Sequence, residues 1–135
     1  NYLFIAFSGS KFNNQGAISF LQANKTAFNY DCLVDLNMLG RFNKVVKSLF
    51  VTGVGTSTVW GSLLNKNNKG FVLKIDSAGI GYGAYSLFYK KNVPLLSFST
   101  GYSNDFAKPT DDASCSMSSF FFTSLAPFIQ NDTVL

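Results

Sequence analysis

Apolar residues fall into short blocks along the chain, and clusters of Gly, Asn and Lys separate them. Leu3 to Phe7 is an apolar run of strand length. The Asn13-Asn14-Gln15-Gly16 turn joins it to a second expected strand, Ala17 to Leu21, as a hairpin. A further strand is expected within Thr26 to Val34. The period then changes. Leu36, Leu39, Phe42, Val46 and Leu49 recur at three- and four-residue intervals, and Val45 and Phe50 widen the stripe. That spacing predicts a helix, capped by Asp35 and stopped by Gly53 and Gly55. Arg41, Lys44 and Lys47 fall off the stripe and should face solvent or a partner.

The second half follows the same plan at greater length. Thr56 to Leu64, which holds the only Trp, Trp60, reads as a strand before the polar turn Asn65 to Gly70. Phe71 to Ser77 alternates apolar and polar positions and reads as another. Gly79-Ile80-Gly81-Tyr82-Gly83-Ala84 interrupts it. Tyr85 to Tyr89 and Leu95 to Ser99 read as strands around the Lys90-Lys91-Asn92 turn. Asp105 to Ala113 is a polar loop, and Met117, Phe121, Leu125 and Phe128 mark a last helix from about Cys115 to Ile129. Strands followed by a helix, twice, predict an α+β fold of two tandem repeats, residues 1–54 and 55–135. Each repeat is expected to be a small, mostly antiparallel sheet covered by one helix.

Composition supports a folded chain. It is 47% apolar with fifteen Phe, enough for a sizeable core. No apolar run approaches the roughly 18 residues that span a bilayer. The opening apolar run lacks a basic flank, which makes it a poor signal peptide and a good strand. Net charge is +4, and a basic balance favours polyanionic partners such as nucleic acid. Phe, Asn, Lys and Tyr are abundant, a bias expected of an AT-rich gene such as one from an organelle genome. Cys32 and Cys115 are far apart and are expected to be buried free thiols rather than a disulfide.

Catalytic chemistry has little to work with. The chain has no His and no Glu, which removes the commonest general base and the Ser-His and Cys-His pairs. Asp111-Asp112 reads as a solvated acidic pair. The glycine stretch from Gly79 to Ala84 follows a strand and has the form GxGxxA. A dinucleotide site needs a helix starting there, and the aromatic Tyr85 to Tyr89 reads as a strand instead. Tyr82, Tyr85, Tyr89 and Tyr102 could stack on bases, with core packing the stronger expectation for most of them.

Three stretches occur in order: Gly79 to Ala84, then Leu96-Ser97-Phe98-Ser99-Thr100-Gly101-Tyr102-Ser103-Asn104, then Lys108-Pro109-Thr110. In these the chain resembles the large-subunit ribosomal protein six family, whose second repeat runs through GVGYRA-like, LGYSH-like and KPT-like stretches. Phe7 to Lys11 with Gly16 to Phe20 is similar to that family's opening, and Gly40 to Phe50 to its first helix. Gly83 stands where the family usually has Arg, and Asn104 where it has His. The resemblance implies a non-catalytic structural constituent of the large ribosomal subunit, in the mitochondrion given the composition. Its implied partners are large-subunit rRNA near the translation-factor-binding region and neighbouring ribosomal proteins. It places RNA contacts at Gly101, Tyr102, Ser103 and Asn104, with Lys108 nearby. Charge adds Lys66, Lys69, Lys90 and Lys91, which sit on turns where they can meet phosphates. No metal, cofactor, membrane or small-molecule substrate is expected. The alternatives are a β-rich virion or secreted surface protein, to which sequons at Asn24 and Asn131 would suit, an accessory subunit of another organellar complex, and a small nucleotide-binding enzyme.

Overall fold

The computed structural model describes residues 3–25, 29–39, 45–102, 104, 108 and 109. In chain order the elements are α1 (Gln15–Ala23), β1 (Leu33–Asn37), β2 (Ser48–Thr52), a 3-10 turn (Val54–Thr56), α2 (Trp60–Asn67), β3 (Val72–Asp76), α3 (Tyr85–Tyr89) and β4 (Leu95–Ser99). The four strands form one mixed sheet in the order β1-β4-β2-β3. β4 runs parallel to β1, from Leu33↔Leu95 to Asn37↔Ser99, and antiparallel to β2. β2 and β3 are parallel, from Ser48↔Val72 to Thr52↔Asp76, with α2 as their crossover.

The α+β class is as expected, but the two tandem repeats do not appear among the described residues. β4 comes from the second half of the chain and lies between β1 and β2 of the first. Gly53 to Gly55, expected to separate two units, lies in the connection from β2 to α2. Gly53 has φ +92, and a side-chain carbon there would meet the Leu95 carbonyl oxygen at 2.7 Å. That position needs both the left-handed backbone and the missing Cβ.

Several elements differ from the sequence reading, each for a local reason. Leu3 to Phe7 has no regular structure, and Phe4 is 84% exposed. Ala17 and Leu21 are buried one helical turn apart, so α1 replaces the second hairpin strand. The expected helix over Leu36 to Phe50 instead contributes β1 and β2. Met38 and Lys47 take φ near +50, which no helix admits, and Leu49 and Val51 alternate inward with Ser48, Phe50 and Thr52. Trp60, Leu63, Leu64 and Asn67 bury one face of α2, where a strand was expected. Tyr85 to Tyr89 is likewise a short helix, begun by Ser86 Oγ donating to the Gly83 carbonyl at 2.9 Å. β3 and β4 match their expected strands, and β1 overlaps the end of the strand expected within Thr26 to Val34. Cys32 is free and exposed, not buried. The helix expected from Cys115 to Ile129 lies outside the described residues, as does most of the loop from Asp105 to Ala113.

Each face of the sheet has its own apolar cluster. α2 packs Trp60, Leu63 and Leu64 against Leu49, Val51, Leu96 and Phe98. On the opposite face Leu21, Phe88 and Val93 gather Phe7, Phe20, Tyr30, Leu33 and Leu87. The Phe7 and Phe20 rings meet edge to face at 5.6 Å, and Tyr30 and Phe88 at 5.7 Å. This second face carries α1 and α3, and it also carries the candidate site.

Candidate functional site

Side chains alternate along a strand, so Leu33, Asp35 and Asn37 share one face of β1. Their register partners Leu95, Ser97 and Ser99 share the same face of β4. The pair Leu33 and Leu95 is apolar, and Leu33 packs against the cluster around Phe88. The next two pairs are polar. Ser97, 6% exposed, donates from Oγ to Asp35 Oδ2 at 2.6 Å. The face thus turns from apolar to polar toward the carboxyl ends of β1 and β4. In α/β sheets that end is where loops converge to bind ligands.

A cleft of about 750 Å³ lies over this polar end. Asp35, Leu36, Asn37 and Met38 line its floor, and Gly81 to Tyr85 form one wall. The facing wall comes from the approach to α1 and includes Phe7, Ser8, Ser10, Lys11 and Asn14. Tyr102, 79% exposed, borders the opening. Asn14 Nδ2 donates to the Tyr82 carbonyl at 3.2 Å and ties the two walls together. Thr100 Oγ1 donates to the Met38 carbonyl and joins the ends of β4 and β1.

The glycines of the 79–84 stretch serve a tyrosine. A Cβ on Gly81 would collide with the Tyr85 hydroxyl, and one on Gly83 with the Tyr85 ring. The helix that a dinucleotide site requires is present here, as α3, contrary to expectation. It has five residues, and the Tyr85 ring fills the space beside Gly81 and Gly83 that a pyrophosphate would need.

Burial pushes the Asp35 carboxyl above the usual carboxylate range, and the Ser97 hydrogen bond opposes that rise. Burial also pushes the Tyr85 phenol up, helped by the negative charges of Asp35 and Asp76 and by Tyr102. Among the described residues there is no group of three or more His, Cys, Asp or Glu able to hold a metal ion. No described helix is long and apolar enough to cross a membrane.

The comparisons with known proteins add nothing to this geometry. The chain matches no family model, no curated protein and no solved structure. The site therefore rests on the residues themselves.

Of the residues expected to contact RNA, the cleft takes in only Tyr102. Gly101 has φ +87 and lies beside the Phe50 ring, Asn104 and Lys108 are exposed, and Ser103 lies outside the described residues. Lys66, Lys69, Lys90 and Lys91 are exposed. The first pair leads into β3 and the second into β4, and those strands run in opposite directions. The two pairs therefore enter from opposite ends of the sheet and do not form one patch. Tyr82 is fully exposed at the cleft rather than packed in a core, and Tyr89 is 36% exposed. The sequence reading missed Asp35, Asn37 and Ser97 as site residues. The available signal was polar residues set among the apolar positions of short strands.

The site has a stability signature. Asp35 binds its proton more tightly in the folded than in the unfolded chain, so its contribution to stability falls as pH rises through the raised pKa. At pH 7 the full cost of the buried charge is present. Asp35→Asn removes the charge and is expected to raise the melting temperature at pH 7 by about 3–5 °C, for a gain on the order of 1 kcal/mol. Thermal melts of both forms should show that gain shrinking at pH 4. A lower melting temperature for Asp35→Asn at pH 7 would count against a strained carboxylate.

Proposed function

We propose that the protein is a non-catalytic binding domain that holds a small ligand in the cleft at the carboxyl ends of β1 and β4. One observation carries this reading: the sheet face turns polar at the pairs Asp35–Ser97 and Asn37–Ser99, and Asp35 and Asn37 line a cleft shared with loops from separate parts of the chain. A sheet built only for stability has little use for a half-buried carboxylate there. The absence of His and Glu supports binding without acid–base catalysis.

Amide NMR against a set of small polar aromatic fragments tests it. Fragments that bind are expected to shift the amides of Asp35 to Met38 and of Gly81 to Tyr85 together. Hits scattered over the surface, or clustered away from both stretches, would count against the cleft.

A second reading follows from the ribosomal resemblance: a structural constituent of the large subunit of the mitochondrial ribosome, bound to rRNA and neighbouring ribosomal proteins. The exposure of Lys66, Lys69, Lys90, Lys91 and Lys108 favours it, since each can reach a phosphate without disturbing the core. Their placement at separate ends of the sheet calls for RNA wrapped around the domain rather than laid on one face. That reading expects co-sedimentation with large subunits, lost at high salt, and amide shifts on the lysine turns rather than in the cleft.

A further inference from the structure

We infer that the cleft takes an organic cation, a small molecule with a protonated amine beside an apolar body, with Asp35 as counter-ion and Tyr82, Tyr85 and Tyr102 as aromatic walls. The inference rests on the cleft reading above and names the chemical class of its ligand.

The argument starts from Asp35. It lies on the floor of the cleft and accepts one hydrogen bond, from Ser97 at Oδ2. Its other oxygen has no protein partner among the described residues, and no lysine lies within ion-pairing distance of it there. A carboxylate withdrawn from water without a cation is costly, and a ligand that brings a positive charge relieves that cost. Burial has already lifted the Asp35 pKa.

The surroundings favour the same sign. Asp35 and Asp76 both lie close enough to Tyr85 for their negative charges to disfavour its ionisation. Three tyrosines border one opening. Aromatic faces attract ammonium groups and also stack on an apolar body. Lys11 is the positive group on the cleft lining, and it sits on the facing wall, on the approach to α1. A purely anionic ligand would have to pass Asp35. A neutral polyol would leave its charge uncompensated.

The inference can be tested with 2-phenylethylammonium and its neutral counterpart 2-phenylethanol, followed by amide NMR titration of the full chain. The amine is expected to shift the amides of Asp35 to Met38 and Gly81 to Tyr85, and to bind about ten-fold more tightly than the alcohol. Its binding should weaken as pH falls through the Asp35 titration. Asp35→Asn, with its fold checked in the same spectra, should remove that preference. Tyr82→Ala, at a fully exposed position, should weaken amine binding by about two- to five-fold. Equal binding of both probes, or amine binding indifferent to Asp35→Asn, overturns the cation while the cleft reading stands, because the same amides still move. Neither probe moving those amides also overturns the cation, and the neutral fragments then decide separately whether the cleft binds anything.

Discussion

Phe98→Ala is expected to destabilise the protein by about 3–5 kcal/mol, a large part of the roughly 5–15 kcal/mol that holds a typical domain folded. Phe98 is fully buried in β4, opposite Val51, within the cluster that α2 covers. Truncation to Ala leaves a cavity that its neighbours cannot close without leaving their own contacts. The position has a second consequence. β4 joins β1 to the β2–α2–β3 unit, so weakening it should weaken the whole sheet in one transition. Urea unfolding followed by far-UV circular dichroism and by Trp60 fluorescence should give coincident curves, both at a lower midpoint. A fluorescence midpoint that stays in place while the dichroism shifts would mean that the α2 side folds independently.

Thr56→Val is the next largest expected loss, about 2–4 kcal/mol, although it changes no volume. Thr56 Oγ1 accepts from the Leu95 N–H at 2.9 Å and from Trp60 Nε1 at 3.1 Å. Its own proton goes to the carbonyl of Gly53, at 2.7 Å, or of Leu95, at 2.9 Å. One hydroxyl thus ties the end of β2, the start of α2 and the start of β4. Leu95 is fully buried and Trp60 is 3% exposed, so their orphaned N–H groups would find no water. Thr56→Ser keeps the oxygen and should cost no more than about 1 kcal/mol. Comparing the two denaturation midpoints separates hydrogen bonding from shape, and a Val form as stable as the Ser form would contradict this role.

What the sequence made legible follows from local physics. β3 and β4 are short apolar stretches between turn residues, and both stood out as strands. α1, α2 and α3 did not stand out as helices. At nine, eight and five residues they are too short for a stripe to repeat more than twice. Trp60, Leu63 and Leu64 nevertheless carried the helical spacing. The false helix over Leu36 to Phe50 arose because Leu36 of β1 and Leu49 of β2 happen to fall on one helical stripe with apolar residues between the strands, while the left-handed turns at Met38 and Lys47 gave no warning in residue type. Strand order was hidden for a different reason. Placing β4 between β1 and β2 depends on contacts more than forty residues apart, for example Val51 with Phe98.

The site was hidden in the same way. Its walls come from the residues around Ser8 to Asn14, β1, the 81–85 stretch and Tyr102, which only the fold assembles. Asp35 looked like a helix cap because the helix behind it was misread. Lys66, Lys69, Lys90 and Lys91 were visible in the sequence and are exposed, and opposing strand directions set the two pairs at opposite ends of the sheet.

The most direct check is to follow stability and fragment binding in one variant. Asp35→Asn should melt higher than the parent at pH 7 while losing its preference for the amine in the cleft, the opposed pair of changes expected where binding is maintained against stability. If the variant melts lower and binds as before, Asp35 is an ordinary structural residue and not the counter-ion of a cation site.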